Sequence, residues 1–282
     1  VPPIPHSPLE SRVAGYKLET RGLSKTFRKG DMAVEALRDI KVSIRDGEFV
    51  AIVGASGCGK TTLLRLLDGL LEPTSGTVAI DGKVVRKPGP DRGFVFQQDS
   101  LFPWRTVLDN TVFGPEVQGR DMNAARKLAR GFLHLVGLDG FDGYYPHELS
   151  GGMRQRVNLG RALTVGPEVL LMDEPFASLD AQTREIMQSE LTRIWRETEK
   201  TVVFVTHQID EAVYLSDRVL VFTVRPGRIK EEVRVDLPRP RELAIKRTPE
   251  VVRYTDRIWR LIEEEVRESL GREVEEAHAA RR

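Results

Sequence analysis

The residues with the clearest chemical meaning form one glycine-rich stretch, which directly follows the apolar run at 49–53. The stretch matches G-x-x-x-x-G-K-[ST], a pattern whose glycines turn tightly and expose backbone N–H groups to phosphate oxygens. A helix predicted from Thr61 to about Leu71 would point its positive end at the same anion. The members of the stretch are Gly54, Ala55, Ser56, Gly57, Cys58, Gly59, Lys60, Thr61 and Thr62.

Three side chains of this stretch carry its predicted chemistry. The Lys60 ammonium can reach the β- and γ-phosphates, and the Thr61 hydroxyl is a ligand for Mg²⁺. Cys58 lies close to Lys60 and to a helix N-terminus, so we expect a lowered thiol pKa, inhibition by alkylation and protection by bound nucleotide. The alternative is a glycine-rich turn without a ligand, but the match over 54–62 between a strand and a helix favours a nucleoside triphosphate site.

Polar side chains follow two more apolar runs, at 168–172 and 201–206, which are typical of parallel strands covered on both faces. Because ligands bind beyond the carboxyl ends of such strands, these groups should meet the phosphate stretch. Asp173 suits a Mg²⁺ site, and Glu174 is placed to orient and polarise an attacking water. His207 can hydrogen-bond the γ-phosphate or that water. A lone histidine would favour a structural role, but three converging strand ends favour a functional one.

A second anion cradle is predicted at 149–156, which reads Leu-Ser-Gly-Gly-Met-Arg-Gln-Arg. Ser150 is a favourable helix N-cap, and Gly151 and Gly152 leave backbone N–H groups bare. An ordinary capped turn is the alternative. One chain with one phosphate loop has no evident use for two cradles, whereas in a two-fold pair each cradle can close on the nucleotide of the other chain.

The composition is that of a globular protein and argues against several kinds of partner. The chain has 282 residues, of which 40% are hydrophobic and 30% charged, and its net charge is +1. This charge argues against bulk electrostatic binding of nucleic acid or of an acidic membrane surface. No apolar stretch approaches the ~18–20 residues that span a bilayer. The single cysteine excludes an intrachain disulfide and indicates a reducing compartment.

Periodicity and turn residues predict the order of elements along the chain. Residues 1–15 are expected to form a flexible, proline-rich tail and lack the pattern of a secretory signal. The predicted elements are short strands at 17–20, 34–37 and 40–44, a hairpin around Asp81-Gly82, a strand at 93–97, a largely helical stretch at 106–165 with a glycine-rich interruption at 137–152, and a helix at 181–199.

The chain changes character beyond about Val235. Residues 237–241 are expected to be an extended linker because of their prolines, and 249–276 to be one charged helix. Its apolar residues fall on one face, namely Ile258, Leu261, Ile262, Val266 and Leu270. Since its charges nearly balance, a solvated helix docked by one stripe is the simplest interpretation, and a regulatory or partner-binding role is the alternative.

Taken together, these motifs resemble the ATP-binding subunit of an ABC transporter over about residues 16–235. The resemblance is carried by the phosphate loop, the Leu-Ser-Gly-Gly-x-x-Gln-Arg signature at 149–156, Leu-Leu-Met-Asp-Glu-Pro at 170–175, Ser178-Leu179-Asp180 and Thr206-His207. It implies an α/β fold of the P-loop NTPase (RecA-like) type, with a parallel-sheet core, an antiparallel β subdomain and a helical subdomain at about 100–165. The implied divisions are a tail at 1–15, an ATP-binding domain at 16–235, and a linker with a charged helix at 236–282.

The resemblance also assigns roles to residues that the motifs alone leave open. Asp180 is implied to cross the dimer contact and to couple the two nucleotide sites. Gln97, with Gln98 beside it, matches the glutamine that senses Mg²⁺ and the attacking water. Phe27 matches the aromatic residue that stacks on adenine; a core strand residue is the alternative for it. Trp104 is expected in the interface with membrane subunits, and it could equally be a core residue.

Three segments, 102–110, 225–229 and 237–241, resemble the importers of nitrate, sulfonates, taurine and related small anions. The implied function is to bind ATP and Mg²⁺ and to hydrolyse ATP as a sandwich dimer, either of identical chains or with a related subunit. The implied partners are a membrane permease and, indirectly, an extracytoplasmic solute-binding protein, at the cytoplasmic face of the inner membrane. The alternative is a soluble ABC-type ATPase acting on nucleic acid or ribosomes, which the missing basic stripes disfavour.

Overall fold

The computed structural model describes residues 15–30, 32–98 and 100–279, with the side chains of the last helix described as far as Arg267. The predicted N-terminal tail therefore lies, up to residue 14, outside the described residues. The side chain of Leu270 lies outside them too. No helix of the described residues is long and apolar enough to cross a membrane.

A six-stranded sheet forms the centre of the fold. In spatial order its strands are β10 (Ile229–Arg234), β9 (Arg218–Phe222), β3 (Phe49–Val53), β8 (Thr201–Val205), β7 (Val169–Asp173) and β6 (Arg92–Val95). All neighbours run parallel except β10, which is antiparallel to β9. Every residue of β3, β7 and β8 is buried, as expected for parallel strands covered on both faces. The predicted parallel core is thus confirmed, and these three strands end at one edge.

A second, antiparallel sheet lies beside the first and begins the described chain. Its strands, in spatial order, are β2 (Met32–Ile44), β1 (Leu18–Lys29), β4 (Ser75–Ile80) and β5 (Lys83–Val84). The predicted hairpin at Asp81-Gly82 is confirmed, and both residues have positive φ angles, 47° and 73°.

The prediction of three short strands before residue 45 is wrong, because β1 and β2 are long and continuous. The expected break at Arg38 and Asp39 is a bulge, where the register of β2 shifts against β1. Asp39 has φ 50°, and its N–H donates to Ser24 Oγ over 2.9 Å. The polar pair therefore marks an extra residue within a strand, and the strand does not end there.

Helices cover both faces of the central sheet. They are α1 (Lys60–Asp68), α2 (Val107–Thr111), α3 (Phe113–Val117), α4 (Met122–Leu135), α5 (Gly151–Thr164), α6 (Ala181–Thr198), α7 (Ile209–Leu215) and α8 (Pro249–Ala279), with 3₁₀ turns at Pro146–Glu148 and Leu243–Arg247. The predicted helical stretch at 106–165 and its interruption are confirmed. Helix α1 ends before the predicted Leu71, because Gly69 adopts φ 85° and donates its N–H to Leu66 O over 3.2 Å.

Aromatic packing fixes helix α6 against the strands that lead to the site. The ring of Phe49 on β3 lies 5.8 Å from that of Trp195 on α6 and 5.9 Å from that of Phe204 on β8. Phe49 and Phe204 are fully buried. Edge-on and tilted aromatic pairs at such distances stabilise a core beyond the area they bury. This cluster holds β3 and β8 in the register that brings their ends together.

The expected extended linker at 237–241 packs closely against the rest of the chain. Arg241 is only 4% exposed. Its guanidinium donates to backbone carbonyls that come from both the α7 region and the chain after β10, namely those of Val213, Tyr214, Ser216, Val235 and Leu237. Arg239 places its guanidinium 4.1 Å from the ring of Trp195. The segment is therefore fixed along its length.

Helix α8 docks by one face, as predicted, and the predicted stripe supplies part of it, because Ile258 is buried and Leu261 and Ile262 pack, partly buried, against the same cluster. Val251 and Ile258 are buried, whereas Val266, predicted on the stripe, is exposed. Glu265 is buried in its place, where it accepts from the backbone N–H of Val224 over 3.1 Å and pairs with Lys230 at 3.2 Å. A buried carboxylate with two partners thus anchors this part of the helix.

Candidate functional site

The phosphate loop lies between β3 and α1 in the conformation that its glycines permit. Gly57 and Gly59 have φ angles of 77° and 105°, which favour glycine. A Cβ at Gly59 would lie 2.7 Å from Leu37 Cδ2 and 2.9 Å from Ala36 O. The loop is therefore pressed against β2 as well as turned, and position 59 has no room for a side chain.

The side chain of Lys60 folds back and binds the beginning of the phosphate loop. Its side chain is buried, and Nζ donates to the carbonyls of Gly54 over 2.8 Å and Ala55 over 3.0 Å. A third, weaker contact joins Nζ to Cys58 Sγ over 3.9 Å, so the three donors of the ammonium all face the loop. The ammonium is thus held at the loop, where the sequence predicts phosphate.

The ends of β7 and β8 meet the start of α1. The Thr61 hydroxyl donates to Asp173 Oδ1 over 3.0 Å. Burial raises the pKa of Asp173, while the Thr61 hydrogen bond acts in the opposite direction. Glu174, with φ 45°, is tied to β8 by its N–H, which donates to Val205 O over 2.9 Å.

Glu174 is also the point where two other predicted residues converge. Its Oε2 accepts from Gln97 Nε2 over 3.4 Å and lies 3.2 Å from His207 Nδ1. The side chain of Gln98 has no such contact, so the structure favours Gln97 over its neighbour. The chain thus brings Lys60, Thr61, Gln97, Asp173, Glu174 and His207 to one edge of the sheet.

The prediction of a lowered pKa for the Cys58 thiol is wrong. The thiol is only 1% exposed, and its burial raises the pKa, which outweighs the lowering effect of the Lys60 charge. A thiolate inside the apolar cluster with Leu37, Leu63 and Phe222 would lose more solvation energy than its attraction to the Lys60 charge restores. Cys58 packs the underside of the loop.

The second cradle and Asp180 form a separate, exposed group. Ser150 caps α5, and its Oγ accepts from Met153 N over 3.3 Å. Asp180 caps α6, where Oδ1 accepts from Thr183 N over 3.0 Å. A Cβ at Gly152 would lie 2.9 Å from Thr183 Cγ2, so the two helix starts touch. Ser150, Gly151 and Asp180 are exposed in the single chain.

Phe27 lies on β1 with its ring 42% exposed and Lys25 Nζ 5.3 Å from the ring centroid. It is therefore available for stacking and is not a core residue. Trp104 is 71% exposed, and its ring lies 5.6 Å from that of Phe102. The core alternative for Trp104 is thereby excluded in the single chain.

A loop that sequence reasoning did not assign to the site supports the phosphate loop from behind. Gly227 approaches so closely that a Cβ there would lie 2.1 Å from Cys58 O. Arg225 Nη2 donates to Gly57 O over 3.2 Å. The Pro226-Gly227 pair in the sequence marks a turn but does not show which segment that turn contacts.

Comparisons with known proteins decide the family. The family described as ABC transporter matches residues 37–177. The chain belongs to this family. It is 52% identical to an uncharacterized ABC transporter ATP-binding protein, MJ0412 of Methanocaldococcus jannaschii, over 90% of this chain and 94% of that one.

Two relatives carry the names of importers. The chain is 46% identical to the nitrate import ATP-binding protein NrtD of Synechocystis, over 93% of this chain and 98% of the relative. It is 48% identical to the taurine import ATP-binding protein TauB of Burkholderia thailandensis, over 79% and 86%. The predicted resemblance to this group of ABC proteins is confirmed.

A solved structure confirms the fold of the cassette. The dimeric ATP-binding cassette MJ0796, in a post-hydrolysis state with ADP and Pi, matches with a TM-score of 0.69 at 33% identity. The match covers 78% of this chain and all of the cassette. The predicted P-loop NTPase architecture is therefore confirmed.

Proposed function

We propose that this chain binds and hydrolyses ATP to drive import of a small anionic solute through a separate membrane permease. The observation that carries the proposal is the convergence on Glu174, where His207 and Gln97 contact one carboxylate oxygen. This carboxylate lies next to Asp173 and Thr61, at the phosphate loop. A base placed beside a triphosphate suits activation of an attacking water.

The residues present fit a Mg²⁺ ion beside the nucleotide. Thr61 and Asp173 offer hard oxygen ligands, and the described residues contain no cluster of three or more His, Cys, Asp or Glu that would hold a metal alone. This suits Mg²⁺, which keeps several waters and binds through one or two protein groups plus phosphates. Bound there, Mg²⁺ would neutralise phosphate charge.

The protein groups have distinct proposed tasks in hydrolysis. Lys60 and the loop N–H groups hold the phosphates and offset their charge, which positions the γ-phosphorus for in-line attack. The Glu174 carboxylate accepts a hydrogen bond from the attacking water, which orients the water and polarises it for attack. His207 and Gln97 hold the Glu174 carboxylate, and Phe27 stacks on the adenine.

A second copy would complete the site. Ser150, Gly151 and Gly152 are placed to contact the γ-phosphate held by the partner chain, with Asp180 at the same contact. This proposal is supported by their exposure in the single chain and by the dimeric form of the similar cassette MJ0796. ATP then favours the closed pair because only that pair makes both sets of contacts.

The proposed cargo and location rest on the relatives. Nitrate is a small anion and taurine carries a sulfonate, and the ATP-binding proteins named for their import are similar over most of this chain. We place the subunit at the cytoplasmic face of the inner membrane, bound to its permease, with an extracytoplasmic solute-binding protein delivering the solute.

Purification from native membranes in mild detergent tests the proposal. We expect the tagged chain to bring down a polytopic permease, with a solute-binding protein that can be titrated with nitrate, taurine, alkanesulfonates and bicarbonate. Recovery with ribosomes or DNA and without a membrane protein would overturn the transport function and leave the ATPase chemistry intact.

A further inference from the structure

A buried chain of polar side chains runs from the C-terminal segment to the residue that precedes His207. Lys246 Nζ donates to Gln188 Oε1, and Gln188 Nε2 donates to Glu211 Oε1 over 2.8 Å. The other oxygen of Glu211, Oε2, accepts from the hydroxyl of Thr206. Three consecutive contacts thus link the 3₁₀ turn at the C-terminal side to the end of β8.

The Thr206 hydroxyl acts on both sides of His207. It donates a hydrogen bond to Glu211 Oε2 and accepts one from the backbone N–H of Gln208 over 3.0 Å. The backbone N–H of Thr206 is bound in turn to Ile52 O over 3.2 Å. The backbone of His207 is therefore held before and after the imidazole, which lies against Glu174.

The inner members of the chain are almost fully buried. Thr206 is 2% exposed, Gln188 1% and Glu211 3%. Burying such groups is costly unless each polar atom is paired, so a satisfied network selects one arrangement. Lys246 sets its direction, because it can only donate. It requires Gln188 to turn its oxygen outward and its NH₂ towards Glu211.

Lys246 is held in place by neighbours on α7. Its Nζ lies 3.7 Å from Asp210 Oδ2 and 5.0 Å from the centre of the Tyr214 ring. The side chain is 11% exposed. The C-terminal segment thus delivers a fixed positive charge to the outer end of the network.

We infer that Glu211, Gln188 and Lys246 are positioning residues that hold His207 against Glu174, so that the C-terminal segment sets the turnover rate of the ATPase. The inference rests on the proposed role of His207. The route follows from the donors: Lys246 orients Gln188, Gln188 and Thr206 fix the Glu211 carboxylate, and Thr206 fixes the turn that carries the imidazole.

The first experiment compares Lys246→Met with Arg247→Met, a matched change at the exposed neighbour. For Lys246→Met we expect kcat for ATP to fall about tenfold with KM within about twofold, because a displaced catalytic group affects turnover more than binding. Arg247→Met should retain the wild-type kcat, and Lys246→Arg, which keeps a donor, should recover most of it. Glu211→Gln, if folded by its thermal melt, should behave as Lys246→Met does.

The second experiment asks whether the effect passes through His207. In a His207→Ala background, Lys246→Met should lower kcat no further, since coupled residues are not additive. An equal additional fall, or an unchanged kcat for Lys246→Met alone, would overturn the inference. If His207→Ala itself keeps the wild-type rate, the proposed role of the histidine fails instead, so the two failures are distinguishable.

Discussion

The Thr61 hydroxyl and Asp173 Oδ1 lie 3.0 Å apart, so the first turn of α1 and the last residue of β7 share one hydrogen bond. The bond joins a residue of the phosphate loop to one that follows it by more than a hundred positions. Because both groups are oxygen ligands of the kind a hard cation takes, this pair is where we propose that Mg²⁺ binds beside the nucleotide.

Asp173→Asn should weaken the response to Mg²⁺ and leave nucleotide binding in place. We expect the ATPase rate at saturating Mg²⁺ to fall at least about a hundredfold, because charge neutralisation at the phosphates is lost. Binding of a fluorescent ATP analogue in EDTA should change less than about threefold. Asp256→Asn, at an exposed position of α8, is the control. An unchanged Mg²⁺ dependence would exclude Asp173 from the metal site.

Glu174→Gln should separate binding from turnover. The amide keeps the size of the side chain and cannot take a proton, so we expect a fall in kcat of at least about 100-fold. ATP should still bind and should drive a stable dimer, measured by sedimentation velocity. Glu250→Gln, exposed on α8, should retain the wild-type rate. Hydrolysis by Glu174→Gln at the normal rate would show that another group activates the water.

Gly59→Ala should abolish nucleotide binding, because the added Cβ meets Leu37 and Ala36 at a positive φ angle. The matched change is Gly131→Ala in α4, where a Cβ meets nothing within 4 Å. We expect that control to raise the free energy of unfolding by about 0.5–1 kcal/mol. ATP affinity and thermal melts of both variants test this pair, and wild-type affinity in Gly59→Ala would contradict the described loop.

Asp68 should make stability depend on pH in an unusual direction. Burial raises its pKa to about 6, from an ordinary value near 3.8, although Arg92 acts in the opposite direction. The folded chain therefore binds this proton more tightly than the unfolded chain, so the contribution is present below pH 4 and is lost as the pH rises through 6. Asp68→Asn should melt several degrees higher than the wild type at pH 7.5.

The pH dependence supplies the control for Asp68→Asn. The difference in melting temperature should shrink towards zero near pH 4, where the wild-type carboxyl is protonated as well. A constant difference across that range would attribute the effect to packing instead of charge.

Cys58 should react slowly with iodoacetamide in the folded protein. Burial and a raised pKa both reduce the thiolate that attacks the reagent. At pH 8 we expect labelling, followed by mass spectrometry, to be at least about tenfold slower than in denaturant. Rapid labelling that ATP prevents would restore the original prediction of a reactive thiol.

Two parts of the site were predictable from the sequence: the phosphate loop, which has a local motif, and the residues that follow parallel strands, whose ends share one edge of the sheet. The pattern around Lys60 predicts the conformation of the phosphate loop. Because ligands bind at the carboxyl ends of parallel strands, the positions of Asp173 and His207 after such strands predict that both lie near that loop. The strand order itself was not needed, because any parallel arrangement of the three runs places their ends on one edge.

The remaining features depend on contacts between distant parts of the chain. Asp39 looks like a turn residue in the sequence, and only its pairing with β1 shows a bulge. Cys58 was judged by its neighbours in sequence, whereas its environment comes from Leu37 and Phe222. The support of the phosphate loop by Arg225 and Gly227 joins residues more than 160 positions apart.

The buried Arg241 decides where this protein can be recombined with its relatives. Its guanidinium donates to carbonyls of the α7 region and of the chain after β10, and burial lowers its pKa to about 10. A chimaera that is joined within 237–241 and replaces Arg241 would leave those buried carbonyls without a hydrogen-bond donor. The proline-rich stretch looks like a natural junction for exchanging C-terminal parts between paralogues, but it is an unsuitable one. Functional swaps should cross over before α7, so that Arg241 and its carbonyls come from the same parent.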